Sequence, residues 1–206
     1  MSDKSNETLV SENIEVLSES VAYQGFFQIL TKTVNYPLFA GGMSGPVTRE
    51  VFERGDAVVV LPYDPVRDEV VLIQQLRVPV IGKSDNPWLY ELAAGMIEPG
   101  ESELEVAHRE LEEETGLIAA KMLPINRHFS SPGGTSERLQ LFLAIVDAAN
   151  AKGIHGLEDE NEDIRVQVVT RELAYEWVEQ GKIDNASSVI GLQWLQLHHQ
   201  QVRSEA

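Results

Sequence analysis

Apolar positions fall into two rhythms along this chain. Between residues 14 and 52, pieces such as VAYQGFFQIL and TKTVNY are rich in β-branched and aromatic residues, and they lead into a Gly-Gly-Met-Ser-Gly-Pro turn. This pattern predicts a small N-terminal antiparallel β-sheet. From Ala57 onward the runs are more strongly apolar. AVVVLPYD and DEVVLIQQLRV read as two strands joined by a turn around residues 64–68, and WLYELAAG reads as a further strand. MLPINRHF, ERLQLFLAIV and IRVQVVT complete the strand set, with an acidic loop before the last of them. Two helices close the chain, over 171–180 and from 186 to about 199, the second with Val189, Leu192, Leu195 and Leu197 as its apolar material.

This order of elements fits an α/β fold, a mixed sheet with helices on both sides in an α/β/α sandwich, preceded by the small N-terminal β-sheet. The expected division is 1–55 for the β-rich segment and 56–206 for the main domain. The N-terminal segment is too small and edge-rich to stand alone, so its edges need covering.

One further helix lies between residues 102 and 116. Ser102 followed by Glu105 is a capping-box start, and Gly116 is a left-handed stop. Leu104, Ala107, Leu111 and Thr115 fall on one stripe, which predicts packing against the sheet. Glu110, Glu113 and Glu114 lie on an adjoining arc, as residues three and four apart do. Such carboxylates repel one another, and a hard divalent cation would relieve them. A solvated acidic face is the alternative, and it suits Glu112, which points away. Glu105 reads as a cap and Glu103 as surface.

Composition narrows the chemistry. At 206 residues the chain has room for one large domain or a domain with an extension, and its 43% hydrophobic content suits a soluble globular protein. With no cysteine, thiolate zinc sites, disulfides and cysteine nucleophiles are excluded. The opening MSDKSNETLVSENIEV resembles neither a signal nor a transit peptide, and no apolar run approaches the roughly 20 residues that span a bilayer. A cytoplasmic enzyme without a membrane partner is expected. The net charge of −17 argues against nucleic acid, and an anionic substrate would need local metal ions and a few of the 16 basic residues.

Over residues 95–117, Gly95, Glu101, Arg109, Glu110, Glu113, Glu114 and Gly116 stand at fixed intervals, with Leu111 and Leu117 in two apolar slots. This pattern resembles the complete Nudix box, whose owners hydrolyse nucleoside diphosphates linked to another moiety with a divalent metal. The resemblance implies Mg²⁺, or Mn²⁺, held by Glu110, Glu114 and the backbone carbonyl of Ala94. It implies that Glu113 supports the metal shell while Arg109 and Glu101 orient the carboxylates.

Four further stretches resemble the bacterial ADP-ribose-hydrolysing group of that family. GFF at 25–27 resembles a segment that offers adenine an aromatic surface, which would be Phe26 and Phe27. REVFERG at 49–55 and Arg77 resemble basic contacts to diphosphate, so Arg49, Glu50, Arg54 and Arg77, with Met96 beside the box, become candidate substrate contacts. SPGGTSE at 131–137 would present Ser131, Gly133 and Glu137 to ribose hydroxyls. HGLEDENEDI at 155–164 would supply Glu160 as the base and Glu162 as a further metal contact, although Glu158, Asp159 and Asp163 are chemically similar neighbours. Each stretch has a plainer alternative: core aromatics, surface arginines, a Pro-Gly-Gly turn, a solvated acidic loop. The resemblance implies hydrolysis of ADP-ribose or a related nucleotide sugar by a homodimer with exchanged N-terminal segments. A GDP-mannose-type specificity and a non-cleaving nucleotide sensor are the two rivals.

Overall fold

The computed structural model describes residues 9–157 and 161–205. They form two compact units. The first joins the chain up to Arg54 with Ser131–Glu137, and the second holds Gly55–Ser130 and Arg138 onward. A single cut after residue 55 therefore misses one feature: a loop far along the sequence belongs with the N-terminal sheet.

In the first unit, β1 (Glu15–Gln24), β2 (Gln28–Asn35) and β3 (Val47–Glu53) form an antiparallel sheet in that order. This is the small sheet that the sequence predicts. β1 is exposed along its whole length, and its pairing with β2 slips twice, between Val16 and Ser18 and between Val21 and Tyr23. The loop 131–137 docks on β3. The Phe52 amide donates to the Gly134 carbonyl at 2.8 Å, and the Ser136 hydroxyl donates to Glu53 at 2.6 Å.

The second unit is built on β4 (Ala57–Asp64) and β5 (Glu69–Leu76). β6 (Trp88–Glu91), β7 (Ala93–Met96), β8 (Lys121–Phe129), β9 (Arg138–Ile145), β10 (Ile154–His155) and β11 (Ile164–Thr170) complete the sheet. The strand order is β10-β11-β5-β4-β9-β8, with β6 on β5 and β7 on β4. β4 and β9 run parallel, and the remaining pairs are antiparallel. Every residue of β4 is buried, as expected for a central strand covered on both faces. Alternation then divides its side chains. Val58 and Val60 meet α1 (Glu103–Thr115) through Val106, Ala107 and Leu111. Ala57, Val59, Leu61 and Tyr63 join the layer containing α2 (Arg171–Glu179) and α3 (Ala186–Glu205) through Trp177, Leu192 and Leu195. Helices thus lie on both faces of a mixed sheet, as predicted.

Three details differ from expectation. WLYELAAG is two strands, because the chain leaves β5 and joins β4 at Leu92, whose amide is taken by the buried Ser188 hydroxyl at 3.0 Å. Pro62, which has no amide hydrogen to give, falls between the residues of β4 that pair with β7 and those that pair with β5. Leu104 is 48% exposed while Val106 is fully buried, since the buried arc of α1 turns toward Glu110 and Glu114. α3 continues past His199 to Glu205, with Leu197 exposed and Val202 buried in its place. No helix among the described residues is long and apolar enough to cross a membrane.

Candidate active site

β7 and α1 assemble the carboxylate cluster. Ser102 accepts the Glu105 amide, and Glu105 in turn accepts the Ser102 amide, so the helix start is the capping box expected. Gly116 ends it in the left-handed conformation at φ 69°. Packing α1 on β7 brings Glu110 directly over Gly95, where an added Cβ would stand 1.7 Å from Glu110 Oε1. The glycine that opens the box is therefore a seat for a carboxylate. One turn on, Glu114 Oε2 accepts the Ala94 amide at 2.9 Å.

Arg109 organises the rest. Its Nη1 donates to Glu110 Oε1 at 2.8 Å and to Glu113 Oε2 at 3.1 Å, and its Nη2 lies 3.4 Å from Glu101 Oε2. Glu101 also accepts the Glu98 amide at 3.0 Å, which ties the loop before the helix into the same clamp. Glu112 is exposed, as its phase predicts, while Glu103 pairs with Arg127 at 2.6 Å rather than standing bare at the surface.

Charge is poorly compensated here. Burial raises the Glu110 carboxyl to about 7 despite Arg109, with Glu113 and Glu162 adding repulsion. Burial pushes Glu114 well above the carboxylate range, against the pull of the Ala94 amide, and the neighbouring Glu110 and Glu162 add to the rise. Among the described residues, no three acidic or imidazole groups are gathered as a ready metal cage. The donor set is nevertheless what a hard divalent cation prefers: clustered carboxylate oxygens with too few cations of their own. Glu162 folds back on its own loop, its Oε2 accepting the Leu157 amide at 3.2 Å. Glu160, with Glu158 and Asp159, lies outside the described residues.

Arg77 follows β5, and its Nε donates to Glu91 Oε2 at 2.7 Å. Its charge is also felt at Glu114. Met96, at the end of β7, is partly exposed. Sequence reading passes over Glu91, although a lone carboxylate inside the apolar run WLYELAAG is itself a signal, because a buried charge needs a partner.

The first unit gathers a second set of residues. Phe26 is 87% exposed, which rules out a core role for it. Its ring meets Phe27 edge-on at 4.7 Å, and Phe27 meets Phe52 edge-on at 5.1 Å. Together with Tyr23, Gln28 and Ile29 they line an open cavity of about 280 Å³. Arg54 stacks over Phe27 at 5.1 Å, and its Nε lies 3.0 Å from the carboxylate of the buried Glu137. Ser131 and Gly133 are exposed on the loop that carries Glu137. Arg49 and Glu50 are exposed on β3, and Arg49 is occupied only with the adjacent Thr48 carbonyl among the described residues.

Known proteins resemble this chain over most of its length. An ADP-ribose pyrophosphatase of Escherichia coli K12 is 56% identical over 198 residues, 96% of this chain and 95% of that protein. The Haemophilus influenzae ADP-ribose pyrophosphatase is 49% identical over 195 residues, 93% of this chain and 90% of that protein. A GDP-mannose pyrophosphatase of Cronobacter sakazakii is 33% identical over 193 residues, 91% of this chain and 97% of that protein. A solved structure described as an ADP compounds hydrolase shares the fold, with a TM-score of 0.72 at 20% identity, covering 96% of this chain and 100% of its own. The NUDIX domain model matches residues 53–190. That span is well over half the chain, and the chain belongs to the Nudix family.

Proposed function

We propose that this Nudix hydrolase cleaves the diphosphate bond of ADP-ribose with Mg²⁺, giving AMP and ribose 5-phosphate. The observation that carries the hydrolytic role is the complete box clamp: Glu110 seated on Gly95 and sharing Arg109 with Glu113 and Glu101. The choice of ADP-ribose is supported by the E. coli protein's name and its 56% identity, against 33% for the GDP-mannose enzyme.

In this reading Glu110, Glu114, Glu162 and the Ala94 carbonyl hold the metal, Glu113 supports them, and Arg109 and Glu101 keep their oxygens aimed. Bound Mg²⁺ would acidify a water and neutralise diphosphate oxygens, and Mn²⁺ would suit the same donors. Arg77, Arg54 and Arg49 present guanidinium forks suited to phosphate oxygens. Phe26 and Phe27 offer adenine an aromatic face, Ser131, Gly133 and Glu137 face ribose hydroxyls, and Glu50 and Met96 line the substrate. Glu160 takes the proton of the attacking water. A cytoplasmic homodimer with exchanged N-terminal segments belongs to the same proposal.

Incubating the pure protein with Mg²⁺ and a panel of ADP-ribose and nucleotide sugars, followed by product analysis, tests it. AMP and ribose 5-phosphate from ADP-ribose, abolished by EDTA, is the expected result. Faster cleavage of GDP-mannose would transfer the assignment to that specificity, and tight binding without any product would make the protein a sensor.

A further inference from the structure

We infer that Glu91, which lies outside the box, is a positioning residue that holds the Arg77 guanidinium ready for the diphosphate. The inference rests on the proposed place of Arg77 in the substrate site.

Glu91 ends β6, opposite Ile73 of β5, at the last position before the chain crosses to β4. Its side chain is only 13% exposed. Burial raises its carboxyl above the ordinary range, and Arg77 is the cation that pulls it back. Asp184, a second acid, adds repulsion instead. A carboxylate placed so expensively in an apolar strand serves little for packing, which a leucine would do better. Arg77 is 41% exposed, and an ion pair with so exposed a partner adds little to stability. What the contact does supply is orientation.

The geometry of the pair supports that role. The contact is made through Nε at 2.7 Å, and Glu91 is the only hydrogen-bonding partner of the Arg77 side chain among the described residues. An anchor at Nε fixes the plane of the guanidinium and leaves the two terminal nitrogens as a fork for bidentate contact with a phosphate. The same guanidinium acts electrostatically on Glu114, so the fork belongs to the neighbourhood of the box carboxylates. Glu91 thereby acts through Arg77 and need not touch substrate.

Steady-state kinetics with ADP-ribose and saturating Mg²⁺, alongside melting curves, test this in R77A, R77K, E91Q, E91D and the E91Q/R77K double variant. E91Q keeps the shape and loses the charge. It should raise KM about tenfold, the worth of one charge-assisted contact, with kcat nearly unchanged and Tm not lowered. E91D, which retains the charge on a shorter stem, should fall between wild type and E91Q. Adding E91Q to R77K should cost nothing more, because the anchored fork is already gone. A raised KM in R77A with an unchanged KM in both E91Q and E91D overturns the positioning role alone. An unchanged KM in R77A overturns the diphosphate assignment of Arg77 and the inference with it. A fully additive double variant, or a penalty seen in Tm and not in KM, shows Glu91 to be structural and also overturns it.

Discussion

Two clusters of acids beside the large sheet treat charge in opposite ways. At the turn between β4 and β5, Asp64 accepts the amides of Val66, Arg67 and Ala148 and the Arg67 guanidinium. Burial by itself would raise its carboxyl, but these donors hold it below the ordinary range. Asp68 is held down likewise, against its burial, by a two-pronged contact from Arg171 and by the Tyr63 hydroxyl. On α1 the balance is reversed. Glu110 has a shared guanidinium and Glu114 one amide, so burial wins and both carboxyls rise. Fully donated carboxylates fasten the fold. Under-donated ones keep lone pairs free, and under the proposed function a divalent cation takes them.

The contrast can be broken at several points. The largest effect is expected from E110Q or E114Q. If these oxygens hold metal, kcat falls on the order of 10³-fold, several kcal/mol of transition-state stabilisation, while Tm stays level or rises because a poorly satisfied buried charge has gone. Near wild-type turnover at saturating Mg²⁺ would sink the assignment. Somewhat smaller, E160Q should slow chemistry roughly 10²-fold or more with substrate binding intact, and a greater loss in E162Q would move the base. G95A should follow, since a Cβ 1.7 Å from Glu110 Oε1 forces that carboxylate from its seat. Its activity should drop by up to about 100-fold, the cost of misplacing a ligand rather than deleting it. Unaltered Mg²⁺ dependence in G95A would separate the glycine from the site.

The structural cluster should respond in stability and not in rate. D64N is expected to lose about 2 kcal/mol at neutral pH by denaturant unfolding, because three amides and a guanidinium lose a charged acceptor. The folded carboxyl lies below its ordinary value, so its contribution is present above the ordinary aspartate range and vanishes as pH falls through the folded value. Wild type and D64N should therefore converge in acid, and a gap that persists there would assign the loss to packing. The smallest effect belongs to E112Q, whose exposed side chain predicts kcat within about twofold of wild type and an unchanged Tm.

Much of this was legible in the chain because it is local. Ser102 and Glu105 cap each other across three residues, Gly116 stops the helix by its own backbone freedom, and the spacing of Glu110, Glu113 and Glu114 follows from helical geometry. The continuous apolar run of β4 announced a strand buried on both faces. What escaped was non-local. Nothing within WLYELAAG says that its partner changes at Leu92, since that depends on Ser188, far along the chain, taking the amide. Helical periodicity placed Leu104 and Leu197 on apolar faces, but which part of a face is covered depends on where the sheet ends. Glu91 takes its meaning from Arg77, 14 residues away in the chain, which donates to it.

By itself, then, the sequence determined the family, the glutamate-bearing helix with its start and stop, and the layered order of strands and helices, because caps, periodicity and motif spacing act over a few residues. Only the tertiary structure decided that Gly95 is a seat for Glu110, that the 131–137 loop belongs with the N-terminal sheet, and that Arg77 is anchored by a buried acid. Each of these joins residues distant in the chain, through contacts that exist only once the sheet has closed.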